Sequence, residues 1–141
     1  MLGGNTRAAL LDLIFLGTTW ADLAENDSSS PATTFDLSLH TADPGSSGSM
    51  ATSEVAYTSY ARQTINRNSG AFTRTANSVS PNADVNFPIG TGGSGVITHF
   101  SLGKSGGGAT DILFSGVVTP NIASGSGIRP IILAASTFSL T

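Results

Sequence analysis

The residues able to do chemistry concentrate between positions 37 and 62. Leu-Ser-Leu-His-Thr-Ala-Asp-Pro-Gly leads into a Ser/Gly-rich arc and then Glu54-Val55-Ala56-Tyr57-Thr58-Ser59-Tyr60-Ala61-Arg62. In a chain with 11% charged residues, this stretch holds His40, Glu54, Arg62 and both tyrosines. A metal site would need His40 and His99 to converge with Asp36, Asp43 or Glu54, three or four ligands with ordered partners behind them. A Ser/His/Asp triad is open to so serine-rich a chain, yet no serine sits in a Gly-x-Ser-x-Gly elbow. The Gly-Thr-Gly-Gly-Ser-Gly run at 90–95 would cradle phosphate only if it opened a helix, and the strand-like Val96-Ile97-Thr98-His99-Phe100 follows it. Gly103-Lys104-Ser105 fails the Walker spacing, because Thr98 stands where glycine is required. No catalytic residue, metal site or cofactor is expected. What remains is Tyr57, Tyr60 and Arg62, residue types enriched where proteins bind one another. Their plainer use is Tyr60 packed in the core and Arg62 paired with Glu54, and both uses stay open.

Around these residues, Phe35, Leu37 and Leu39 alternate with Asp36, Ser38 and His40, the pattern of a half-buried strand. That pattern puts His40 on the solvent or interface side. Asp43-Pro44-Gly45 is a turn, since proline presets φ and glycine tolerates positive φ. Residues 46–53 form a loop before a returning strand, so 37–62 reads as a hairpin-like unit. Further strands are predicted near 60–66, 70–75, 83–87, 96–102, 112–119, 128–133 and 136–140, with Asn68-Ser69-Gly70, Ser80-Pro81-Asn82 and Gly/Ser runs as turns. Pro88, Pro120 and Pro130 suggest strand ends or sheet edges. Upstream, Asn5 or Thr6 can cap a helix over about 5–17 that ends at Gly17. Leu10, Leu13 and Ile14 share one face, and Leu11 and Phe15 widen it, so this helix should bury more than one side. The expected fold is mainly β, an antiparallel sandwich or barrel with one N-terminal helix, as a single domain over 1–141.

Composition narrows the functions. A net charge of −3 with six scattered basic residues offers no basic stripe, which argues against direct nucleic-acid binding. The absence of cysteine removes disulfides and thiolate chemistry. No apolar run reaches the roughly 20 residues of a membrane span, and residues 8–16 lack the flanks of a secretory signal. The low charge is unusual against an average of about 25%. Such a surface is readily desolvated in a permanent assembly.

Several segments resemble, in order, a family of small tailed-phage virion proteins often labelled phage tail fiber protein. They are Leu39-His40-Thr41-Ala42-Asp43-Pro44, Ser53-Glu54-Val55, Ser59-Tyr60-Ala61-Arg62-Gln63, Val85-Asn86-Phe87-Pro88, Thr98-His99-Phe100-Ser101-Leu102-Gly103 and Ile112-Leu113-Phe114-Ser115-Gly116. Leu10-Leu11-Asp12 with Gly17-Thr18 resembles the family's opening helix, so the likeness runs nearly the length of the chain. The resemblance implies a non-enzymatic structural component of the phage particle. The chain lacks the repeats and heptads of a long fibre. The expectation is therefore a cement or decoration protein on the outer capsid surface. It would act as a trimer, with the major capsid protein and copies of itself as partners. Contacts are expected at Leu10, Leu13, Ile14, Phe15, His40, Tyr57, Tyr60 and Arg62. The alternative is a tail-fibre or baseplate module that binds a host-surface glycan, with Trp20, Tyr57 and Tyr60 as stacking platforms.

Overall fold

A computed structural model describes residues 4–19, 32–45, 47–105 and 112–139. The chain is mainly β, with antiparallel sheets and one short N-terminal helix. The strands are β1 (Thr34–His40), β2 (Gln63–Asn66), β3 (Phe72–Thr75), β4 (Ser78–Pro81), β5 (Val85–Asn86), β6 (Ser94–Lys104), β7 (Ile112–Gly125), β8 (Ile131–Ile132) and β9 (Phe138–Ser139). They form sheets ordered β2-β1-β6-β7, β3-β4-β9 and β5-β8, and among the described residues none closes into a barrel. Contacts divide the chain into two compact units: Met1–Thr33 with Asn66–Asp84 and Leu133–Thr141, and Thr34–Ile65 with Val85–Ile132.

The first unit pairs the helix with the three-stranded sheet. Helix α1 (Gly4–Leu11) continues as a wider π-helical turn, Asp12–Leu16. Asn5 and Thr6 therefore lie inside the helix, and the cap position falls outside the described residues. Gly17 ends the helix as its residue type predicts, at φ 67° with its N–H donating to the Asp12 carbonyl. Leu11 and Phe15, one helical turn apart, are fully buried. Phe15 meets the edge of Phe72 at 5.0 Å and the ring of Phe138 at 5.5 Å. Two arginines complete the join. Arg74 pairs with Asp12, and the Arg67 guanidinium donates to the carbonyls of Leu13, Ile14 and Ala32. The Leu13 and Ile14 carbonyls belong to the last helical turn, where backbone acceptors lack intrahelical donors, and a cation there also opposes the helix dipole.

The sequence read Ser80-Pro81-Asn82 as a turn. Instead β4 runs through Pro81, which stands opposite Phe72, while Val79 faces Phe138 and is fully buried. The apolar alternation of Val79 and Pro81 outweighs the local turn signal.

The second unit is built on β1 and β6, which pair from Phe35↔Lys104 to His40↔His99. β6 and β7 run beyond their expected ends to Ser94↔Gly125, since small Gly and Ser residues extend the ladder. Pro120 lies inside β7, the outermost strand, where a missing N–H is tolerated. Gly90 to Gly93 connect into β6, and Ser94 and Gly95 of the same run already belong to that strand. Gly90 is hydrogen-bonded to Ile128 and Gly127, and a Cβ there would sit 2.1 Å from the Gly125 carbonyl oxygen. Only glycine fits so close a backbone approach. Among the described residues, no helix is long and apolar enough to cross a membrane.

Candidate functional site

β1 delivers the polar stretch into the second unit. After it, Gly45 (φ 70°) closes the Asp-Pro-Gly turn, with its N–H on Asp43 Oδ1 at 2.8 Å. The chain then returns antiparallel to β1. Thr41 N–H donates to the Ser53 carbonyl at 2.8 Å, Val55 N–H to the Leu39 carbonyl at 2.9 Å, and His40 bridges Glu54.

Two polar clusters result. In the first, Glu54 accepts at Oε1 from Arg62 Nε (2.8 Å) and Tyr60 Oη (2.9 Å), and at Oε2 from Arg62 Nη2 (2.8 Å). Tyr60 Oη in turn accepts the Leu39 N–H at 3.1 Å, tying the cluster to β1. The Tyr60 ring stacks on Phe87, 7° from parallel at 6.1 Å, and meets the edge of Tyr57 at 5.4 Å. Tyr57 Oη donates to the Pro88 carbonyl at 2.9 Å. Burial first, then the Glu54 charge, pushes the Tyr60 phenol far above its ordinary range, so it stays protonated and donates. The hydrogen bonds to Glu54 hold the Arg62 guanidinium more firmly charged.

The second cluster is fully buried. Ser38 Oγ, Ser101 Oγ and His40 Nε2 lie within 2.7–3.0 Å of one another, and His40 Nδ1 lies 2.8 Å from the Thr52 carbonyl. A carbonyl only accepts, so Nδ1 carries a proton and the neutral ring accepts a serine hydroxyl at Nε2. Burial holds His40 below its ordinary value of 6.5. A hydroxyl aimed at a neutral imidazole has the look of a nucleophile and base. Here Ser38, His40 and Ser101 are each 0% exposed and the orienting group is a backbone carbonyl, so the network serves β1, β6 and the loop rather than a substrate.

The family described as podophage GP4 fiber I protein gp80 matches residues 5–129. The chain belongs to this family. It is thus a phage structural protein of the fibre type, and its place is the virion. Comparison with curated proteins finds no match.

In this fibre-family chain, several expected contact residues face inward. Phe15 (0% exposed) is core of the first unit, and His40 (0%) and Tyr57 (3%) are core of the second. His40 was expected on an open face. From Leu37 to His40 successive side chains on both faces of β1 are buried, and the His40 ring nitrogens are met by Ser38, Ser101 and the Thr52 carbonyl. Tyr60 and Arg62 are half-buried and bound to Glu54, the plainer of their two uses. Leu10, Leu13 and Ile14 are half-buried. The two tyrosines stack internally rather than as platforms, and Trp20 lies outside the described residues. Among the described residues, no group of three or more His, Asp or Glu could hold a metal.

Ser38 and Ser101 as partners of His40, and Arg67 as the ligand of the helix end, are not among the residues the sequence singles out. Ser38 had a signal in its place two residues from His40, on the same face of the strand.

Proposed function

We propose that this chain is a non-enzymatic structural segment of the phage tail fibre, and not its receptor-binding or catalytic part. The observation that carries the reading is the fate of the polar stretch. Glu54, Tyr60, Arg62 and His40, the residues best suited to chemistry or to a ligand, are bound to one another and to backbone inside one unit. The fibre family supplies the setting. On this reading the partners are copies of the chain and other fibre proteins, and a host glycan is bound elsewhere in the tail. The capsid-cement reading rests on low charge, an apolar helix and the lack of fibre repeats and heptads, and the fibre family supports the tail instead. Gold-labelled antibody against the chain, applied to intact particles, tests the reading. Label along the tail fibres is expected; label spread over the capsid shell would overturn it. Purified chain should leave host cells unbound.

A further inference from the structure

We propose that β7 pairs with β7 of a second copy, antiparallel, about a two-fold axis at Ser115. Among the described residues β7 ends its sheet, with β6 on one side and no strand on the other. Natural edges are guarded by charge, proline, bulges or covering elements. The second half of β7 has such guards: Pro120 lies there, and Thr98 of β6 faces four residues, 118–121, between the pairs Ile97↔Ile122 and His99↔Val117. Among the described residues the first half carries one such guard, the bulge at Leu113, and neither charge nor proline. No Asp, Glu, Lys or Arg occurs from Ile112 to Gly125, while Leu113 is 46% and Val117 65% exposed, with exposed Ser115 between them. Leu113 is also the extra residue between the pairs Leu102↔Phe114 and Gly103↔Ile112, so β6 gives it no opposite number.

This pattern is self-complementary. Antiparallel pairing centred on Ser115 sets Leu113 opposite Val117 of the partner copy, and Val117 opposite its Leu113. Serine meets serine on the axis. Both exposed apolar side chains thus gain cross-strand partners on one face. Identical strands paired this way suffer like-charge repulsion wherever a charged residue falls near the axis, and here there is none. A second copy therefore suits the edge better than a charged partner, and the contact is isologous and closed.

Sedimentation velocity on the full chain, well above about 1 μM, should show a dimer. Ser115→Lys sets two like charges on the axis and should leave monomer, as should Ser115→Glu. An equimolar mixture of the two should restore the dimer. Because Ser115 and Val117 are exposed, circular dichroism of each variant should match the parent, and Val117→Asn should weaken the dimer about tenfold. A monomeric parent, or variants that still dimerise, would overturn the proposal. So would a mixture that stays monomeric, the result expected of a head-to-tail ring that joins β7 to β2 of the next copy.

Discussion

Replacing Glu54 by glutamine tests whether the polar cluster is structural. The carboxylate accepts three hydrogen bonds, two of them from one guanidinium at 2.8 Å. Glutamine keeps one oxygen for Arg62 Nε and Tyr60, but turns an NH2 toward Arg62 Nη2, donor against donor. A hydrogen bond to a charged group contributes about 1.5–3 kcal/mol. The Arg62 side chain is 31% exposed, so water recovers part of the loss. The expected net cost is about 2 kcal/mol, or a fall in Tm of about 6 °C for a chain of this size. Tyr60→Phe keeps the ring stack but leaves the Leu39 N–H unpaired, which costs about 1–3 kcal/mol. Because Tyr60 donates directly to Glu54 Oε1, the Glu54→Gln/Tyr60→Phe double variant should lose less than the sum, by about 0.5–1 kcal/mol. Urea unfolding followed by circular dichroism measures all three. Unchanged or raised stability in Glu54→Gln would refute the reasoning, because groups held ready for a ligand or for catalysis usually stabilise the fold when removed.

Three further outcomes follow from the packing. Unfolded His40 takes up a proton near 6.5 while the buried ring resists it, so stability should fall as pH drops through 6.5 and level off below the lower folded value; urea midpoints between about pH 7.5 and 5.5 should show this, and His40→Gln should flatten the trend. Phe15→Ala should cost about 3–5 kcal/mol, since the ring is fully buried between Phe72 and Phe138, and thermal melting reads the loss. Gly90→Ala forces a methyl to 2.1 Å from the Gly125 carbonyl and should destabilise by about 1–3 kcal/mol in the same assay.

The sequence carried the local features well. The apolar alternation at 35–39, the Asp-Pro-Gly turn and Gly17 each became the element their residue types specify. What it could not carry was context. Alternation says which side chains share a face, not whether the second face is also covered. His40 and Ser38 are polar and still buried, because hydroxyls and a carbonyl from residues 52 and 101 satisfy them. Arg67 looked like one scattered cation, and only the fold brings residues 13, 14 and 32 to it. Tyr57 and Tyr60 have the composition of a binding surface, yet Tyr60 stacks on the distant Phe87, and Tyr57 packs on Tyr60 and donates to the Pro88 carbonyl. Apart from Ser38, two residues from His40, these misses are long-range contacts that local pattern does not encode.

A building segment of the tail fibre whose polar stretch holds its own fold together should be visible as such in the particle. A cryo-electron microscopy reconstruction of the whole particle measures this directly. Density for the chain is expected in the fibres, with Glu54, Tyr60 and Arg62 bonded within one copy. Density confined to the capsid shell, or Arg62 and Tyr60 turned outward onto another molecule, would contradict it.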